Sequence, residues 1–218
     1  MNSAKDDTLE LIRTFLPKYL TPELEEKLFN TVNENFPLSI DPNLIYSVLD
    51  NNYYQGDALV DIPFSNFEKD SFNMAYLSGI LLSNSCDISS ENVRLENPNF
   101  QFATIFSLDE YILLLEDRKI GEEKIRSFVQ TLKSNRISNL FYLPEKKNGE
   151  LVIIKESFVR FDLNVTLPAV IFESEHYSKD YAPDGDRLFS FTNYGFYLFL
   201  IKLSIHFCRF REGVFRNV

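Results

Sequence analysis

Apolar residues in the first fifty positions recur at the spacing of an amphipathic helix. The first such group ends before Pro17 and comprises Leu9, Leu11, Ile12, Phe15 and Leu16. Thr21-Pro22-Glu23 then supplies an N-cap residue, a proline at the first helical position and an early acidic residue that favours the helix dipole. Asp41-Pro42 repeats this start signal. The pattern predicts a helical N-terminal cap over residues 1–54.

After Gln55 the apolar period changes from helical to alternating. Residues 58–62 predict a strand that Pro63 ends at a sheet edge, because proline cannot donate to a strand ladder. Residues 65–71 are mostly polar and predict a loop. The next two apolar runs predict a buried central strand over 76–82 and an alternating strand over 100–106.

The second half of the chain predicts helices and strands in turn. Ser107 and Gly121 each begin a helical pattern. The Asn148-Gly149 pair provides the positive φ of a hairpin turn between two apolar runs, 140–143 and 151–154. Two further runs, 158–163 and 165–172, resemble strands, and the very apolar stretch over about 190–210 predicts a buried C-terminal helix.

These elements predict an α+β fold. We expect a curled antiparallel sheet or a small SH3-like barrel, with a helical N-terminal cap, two inserted helices and a buried C-terminal helix. The predicted division is a cap over residues 1–54 and a barrel-like domain over 55–218, packed as one compact unit. With 218 residues, of which 44% are hydrophobic, the chain is long enough to bury a substantial core.

The net charge of −10 argues against general nucleic-acid binding, but the charge is unevenly distributed. Residues 118–160 carry ten basic and five acidic side chains, and residues 200–218 carry four and one. If these two segments met in space, they would form a local basic surface able to contact RNA phosphates. The more conservative interpretation is an acidic protein with solvated charged faces.

The two cysteines, Cys86 and Cys208, are too few for a disulfide framework, and the N-terminal residues lack the apolar core of a signal peptide. We therefore expect a cytoplasmic protein. The most apolar stretch, 194–210, contains Lys202, His206 and Arg209 and is shorter than the roughly 20 residues that cross a bilayer. No membrane association is expected.

A Gly-Asp turn followed by a strand, and a later buried strand ending in Leu-Ser-Asn, resemble the PemK/MazF-like barrels of toxin–antitoxin systems. The matching residues are Gly56-Asp57-Ala58-Leu59-Val60 and Ile80-Leu81-Leu82-Ser83-Asn84, so the resemblance covers about residues 55–106. It implies an SH3-like barrel and an endoribonuclease activity. In that family an Arg-Pro pair precedes the second strand and its arginine assists RNA cleavage, whereas this chain has Leu77-Ser78-Gly79.

The residues offer two sets of candidate chemistry. Cleavage of RNA needs a base and a cation, and the candidates for the cation are Arg209, Arg211 and the basic segment 118–160. Asp57 is a further candidate catalytic residue. Alternatively, Cys86 would act as a thiolate, His206 as its base and Asp87 as the group that orients the histidine. No pair of cysteines or histidines has the close spacing of a zinc site, so no metal is expected.

The leading hypothesis from the sequence is a non-enzymatic binding protein of a bacterial or phage defence or toxin–antitoxin system. A protein partner is expected, no cofactor is implied, and RNA is a second candidate partner. The candidate ligand-binding residues are Ser83, Asn84, Arg209 and Arg211. An atypical PemK/MazF-like endoribonuclease is the first alternative and a cysteine-dependent hydrolase is the second.

Overall fold

A computed structural model of the chain describes residues 22–33, 41–47, 52–68, 71–89, 92, 95–169 and 187–208. Its helices are α1 (Pro22–Asn33), α2 (Pro42–Ile45), α3 (Ser85–Ile88), α4 (Leu108–Asp117), α5 (Glu122–Lys133) and α6 (Asn193–Cys208). Its strands are β1 (Tyr46–Ser47), β2 (Ala58–Glu68), β3 (Ser71–Leu81), β4 (Asn99–Ser107), β5 (Leu140–Leu143), β6 (Lys146–Asn148), β7 (Leu151–Ile154), β8 (Ser157–Pro168) and β9 (Arg187–Phe191). The helix predicted before Pro17 lies outside the described residues.

Seven strands form one curled antiparallel sheet in the order β1-β9-β2-β3-β4-β8-β5, and β6 and β7 form a separate hairpin. Three register shifts bend the sheet: between Leu59 and Ile62 where β2 pairs with β3, between Ala58 and Leu59 where β2 pairs with β9, and between Ala103 and Thr104 where β4 pairs with β8. Such bulges increase the local twist of a strand. The sheet is a half-barrel flanked by helices, which confirms the predicted α+β fold with a curled antiparallel sheet.

Opposite faces of the sheet belong to different apolar clusters because successive side chains alternate across a strand. Ala58 and Ile80 lie on the face that α6 covers, together with Phe199 of that helix. Their neighbours Leu59 and Leu81 lie on the other face, in a cluster that includes Phe102. A third cluster joins α4 and α5 to the β5 and β8 end of the sheet. The C-terminal helix thus packs on one face of the curled sheet.

Several helix predictions are confirmed, together with the residues that cap them. Ser107 accepts a hydrogen bond from the Glu110 amide and begins α4, and Gly121 precedes α5. Asp41 accepts from the Asn43 amide and begins α2. The C-terminal helix is also present, although it begins at Asn193 and follows a short strand, β9, that the sequence analysis did not predict.

The predicted end of β2 at Pro63 is wrong, and so is the predicted loop over 65–71. β2 continues to Glu68 and pairs with β3 down to the Glu68–Ser71 pair. Pro63 is tolerated because β2 is paired with β9 only at Ala58 and Leu59 within the described residues, so further along the strand one edge needs no donor. The predicted buried strand over 76–82 begins earlier, at Ser71, and its Tyr76 is 61% exposed.

The hairpin around Asn148-Gly149 is present, but its strands differ from the prediction. Gly149 has φ 61° at the turn, and β7 pairs with β6. β5, which was predicted to be the partner of β7, pairs with the beginning of β8. All four residues of β5 are buried. Burial within the main sheet therefore stabilises this strand. The two strands predicted over 158–163 and 165–172 are one strand, β8, within the described residues.

Candidate functional site

An open pocket of about 540 Å³ lies at the N-terminal end of α6, where the Gly56 turn, β1 and α3 meet. We call it the turn pocket. Its walls include the aromatic rings of Tyr54, Phe191 and Phe196, and its polar groups include Asp57 and Asn193. The tight turn at Gly56 brings these elements together. Its φ of 92° favours glycine, and any other residue would place a Cβ 2.8 Å from the Phe191 ring.

Asp57 is 1% exposed, and its carboxylate makes contacts within the fold. Its Oδ2 accepts a hydrogen bond from the Tyr54 amide at 2.9 Å, and its own amide donates to the Tyr54 carbonyl at 3.0 Å. The same Oδ2 lies 3.5 Å from Nη2 of Arg187, whose side chain is 6% exposed. This candidate catalytic residue from the sequence is therefore part of a buried ion pair.

Arg187 connects the start of β9 to the chain before β2. Its Nη2 donates to the Asn52 carbonyl at 2.6 Å, and its Nη1 donates to the Ser190 hydroxyl at 3.3 Å. A buried cation needs such acceptors as well as a counter-ion, because desolvation of an unpaired charge is expensive. Arg187 is thus the partner of Asp57 that sequence reasoning missed, because the two residues are too far apart in the sequence to leave a local signal.

The two candidate ligand residues at the end of β3 make structural hydrogen bonds. The Ser83 hydroxyl donates to the Asn99 carbonyl at 3.2 Å and accepts from the Gln101 amide at 2.8 Å, which ties the end of β3 to β4. Asn84 caps α3 by accepting from the Cys86 amide at 2.9 Å. Of these two, Asn84 is exposed and Ser83 is half-buried. The other two candidates, Arg209 and Arg211, lie outside the described residues.

The proposed thiol site is divided between two ends of the molecule. Cys86 and Asp87 are exposed in α3, next to Ser85 of the turn pocket at the N-terminal end of α6. His206 lies in the last turn of α6, where its ring contacts Phe161 and Phe207. With a rise of about 1.5 Å per residue, the helix separates its two ends by about 20 Å. The structure brings Cys86 and Asp87 together and does not bring His206 to them.

A second set of polar side chains is buried on the side of α6 that faces the protein core. Lys202 is 2% exposed, and its ammonium donates to the Asn135 carbonyl. Burial lowers the pKa of Lys202 to about 8. Asn135 has φ 51°, and its Oδ1 accepts from the Tyr142 amide at 2.8 Å. The only sequence signal for this group is a lysine within a strongly apolar helix.

Glu156 is the centre of a second group of polar contacts, which is partly exposed and includes Tyr142. The Tyr142 hydroxyl donates to Glu156, and Nζ of Lys133 lies 2.5 Å from the same carboxylate oxygen. Burial and the hydrogen bond to Glu156 raise the pKa of the Tyr142 hydroxyl. These contacts join α5, β5 and the turn before β8. They give the region a structural role rather than an arrangement of nucleophile and base.

An apolar surface feature lies on the extended part of the β2–β3 hairpin, residues 62–68 of β2 and 71–77 of β3, which we call the arm. β3 pairs with β4 at Gly79, Ile80 and Leu81, so within the described residues the arm lies beyond the paired part of the sheet. Its inner face carries Ile62 and Phe64, which are buried in the cluster around Phe102. Its outer face carries side chains that are 57%, 56% and 61% exposed, namely Phe72, Met74 and Tyr76.

The described residues contain no group of three or more His, Cys, Asp or Glu side chains that could hold a metal ion. In the same part of the chain, no helix is both long enough and apolar enough to span a membrane. No protein-family model, no curated protein and no solved structure matches the chain.

Proposed function

We propose that this protein is a non-enzymatic binding protein that docks a protein partner on the outer face of the arm. The observation that carries the proposal is the row of three large apolar side chains, Phe72, Met74 and Tyr76, each more than half exposed. Contiguous exposed apolar surface on a folded protein is typical of an interaction site, because burial of such surface is favourable.

The contrast between the two faces of the arm supports this proposal. Ile62 and Phe64 bury the inner face against the sheet, so the arm is fixed at its root. On the outer face, Pro63 lies opposite Tyr76 and Ser65 lies opposite Met74. Neither Pro63 nor Ser65 adds a charge to that face. A two-stranded hairpin is only marginally stable alone, and a partner on its apolar face would stabilise it further.

The candidate catalytic residues give the enzymatic alternatives less support. Asp57 is held in a buried ion pair with Arg187, where it is poorly placed to accept a proton from RNA. Cys86 lies beside the opposite end of α6 from His206. The assignment to a bacterial or phage defence or toxin–antitoxin system stays a prediction from the sequence, as do the cytoplasmic location and the RNA contact.

Site-specific photocrosslinking tests the proposed docking face. A photoreactive phenylalanine analogue at position 74 should give covalent protein adducts in the cells that natively express the chain. The same analogue at Lys124, which is exposed on α5, is the matched control and should give none. Tyr76→Glu should abolish the adducts formed from position 74. Equal crosslinking from both positions, or none from position 74, would contradict the proposal.

An assay on an RNA pool separates this proposal from the ribonuclease alternative. The purified chain should leave the RNA intact when fragment ends are sequenced after incubation without added metal. Recurrent cleavage sites that disappear in an Arg209→Ala variant would instead favour the endoribonuclease.

A further inference from the structure

The edge of β3 along the arm is suited to pairing with another strand. The Leu81 amide donates to the Asp57 carbonyl on the β2 side, and the next amide, that of Leu82, donates to the Gln101 carbonyl on the β4 side. Main-chain groups alternate along a strand, so those of Met74 and Tyr76 face the β4 side as well. Residues 72–76 are all exposed, and β4 pairs with β3 only from Gly79 onward within the described residues, so this edge lies at the surface along the arm.

The same edge lacks the features with which proteins block unwanted strand pairing. No charged residue occurs from Ser71 to Ser83, and no proline interrupts that stretch. Natural edge strands are commonly protected by lysine, proline, bulges or a covering element. The other strand of the arm differs, because β2 contains Pro63 and has a bulge between Leu59 and Ile62. Within the described residues, the β3 side of the arm is therefore better suited to an added strand than the β2 side.

We propose that the partner docked on the arm is a second copy of this chain, with β3 paired antiparallel to β3 about a two-fold axis at Met74. This inference rests on the proposed function and places the partner at the β3 edge of the same arm, next to its outer face. An isologous contact needs a self-complementary patch. In this register Met74 lies opposite its own copy and Phe72 lies opposite Tyr76 of the other copy, so apolar side chains meet on one face.

The uncharged β3 edge is where two copies of this acidic chain can associate at the least electrostatic cost. Two copies that each carry a net charge of −10 repel one another, and an interface between them is most favourable where neither contributes charge. The uncharged stretch from Ser71 to Ser83 meets that requirement. Association should also stop at two copies, because the outermost strand on each side of the paired arms would be β2, where Pro63 lacks an N–H group.

Analytical ultracentrifugation and disulfide trapping test this register in the full chain. Wild-type protein should sediment with twice the monomer mass, and Met74→Lys should sediment as a monomer with an unchanged circular dichroism spectrum. In a chain with Cys86→Ser and Cys208→Ser, Met74→Cys should form an intermolecular disulfide under mild oxidation. In this register the two copies of residue 74 form a hydrogen-bonded pair, and such pairs have Cα atoms about 5.5 Å apart, within the usual range for a disulfide.

The control substitution is Glu116→Cys in the same cysteine-free background, because Glu116 is exposed on α4, a helix that contacts β4, β8 and α5. It should not form the disulfide. A wild-type monomer at all concentrations, or a dimer that survives both Met74→Lys and Tyr76→Glu, would overturn the inference. If position 74 photocrosslinks to a polypeptide of different mass while the chain is monomeric, this inference fails and the proposed function stands. If no protein adduct forms at all, both fail.

Discussion

Nη2 of Arg187 lies 3.5 Å from Oδ2 of Asp57, and the side chains of both residues are almost completely buried. The pair joins the first residue of β9 to the turn that precedes β2, two elements far apart in the sequence. Removal of one partner from a buried ion pair leaves the other charge without compensation, which destabilises a protein more than loss of both. The stability of this corner of the sheet should therefore depend on either residue alone.

We expect Asp57→Asn to lower the free energy of unfolding by about 3 kcal/mol, because Arg187 would keep its charge in a buried position. Urea denaturation followed by circular dichroism measures the change. Asp61→Asn is the matched control, since Asp61 is exposed and its φ of 55° suits asparagine. If the two variants are equally stable, the ion pair does not stabilise the fold.

The sequence predicted elements whose signals are local. Capping residues such as Ser107 and the glycine of the Asn148-Gly149 turn depend on neighbours within a few positions, and those elements are present. The arm was missed because Pro63 and the polar residues after it resemble a strand end and a loop. Pairing with β3 and burial of Phe64 outweigh that local preference.

The candidate site was predicted only in part, for the same reason. The Gly56 turn and the end of β3 do meet near one pocket. Burial decides what their side chains do, and it depends on residues distant in the sequence, such as Arg187. Exposure of Met74 likewise follows from where β4 stops pairing with β3, which no spacing in the sequence records.

Ser83→Ala should lower the free energy of unfolding by about 1 to 2 kcal/mol. The substitution removes the acceptor of the Gln101 amide and the donor to the Asn99 carbonyl, both in the link between β3 and β4. Thermal and urea denaturation provide the measurement. Ser65→Ala, at an exposed position on the arm, should change the stability by less than about 0.5 kcal/mol. A Ser83 variant as stable as this control would return Ser83 to the candidate ligand-binding residues.

Gly195→Ala should destabilise the chain, although alanine usually stabilises a helix interior by about 1 kcal/mol relative to glycine. A Cβ at Gly195 would lie 2.5 Å from the Ile45 carbonyl oxygen and 2.9 Å from the Ile45 Cα. Because those atoms are backbone, α2 and α6 would have to move apart, at a cost of about 2 kcal/mol. We expect a lower unfolding midpoint in urea.

Gly121→Ala is the control for this close contact, because no atom lies within 4 Å of a Cβ built at Gly121. Its φ of −63° is compatible with alanine, so the variant should lose less than about 1 kcal/mol. A Gly195 variant more stable than wild type would show that the two helices pack less closely than the structure indicates.

Lys202 should make stability rise with pH on the alkaline side of neutrality. Its pKa is about 8 in the folded chain, compared with an ordinary value of 10.5, because burial penalises the ammonium form. Between these two values the unfolded chain binds more protons than the folded chain, so the free energy of unfolding increases with pH. The increase is at most about 1.4 kcal/mol per pH unit for one group.

Urea denaturation of wild type and Lys202→Met at pH 7.5, 8.5 and 9.5 isolates this contribution. Methionine has a similar shape and no titrating group, so the difference in stability between the two proteins should shift in favour of wild type as the pH rises. The range stops below the ordinary pKa of tyrosine, about 10, because burial also raises the pKa of Tyr46 and Tyr142. A difference independent of pH would mean that the Lys202 ammonium is not desolvated in the folded chain.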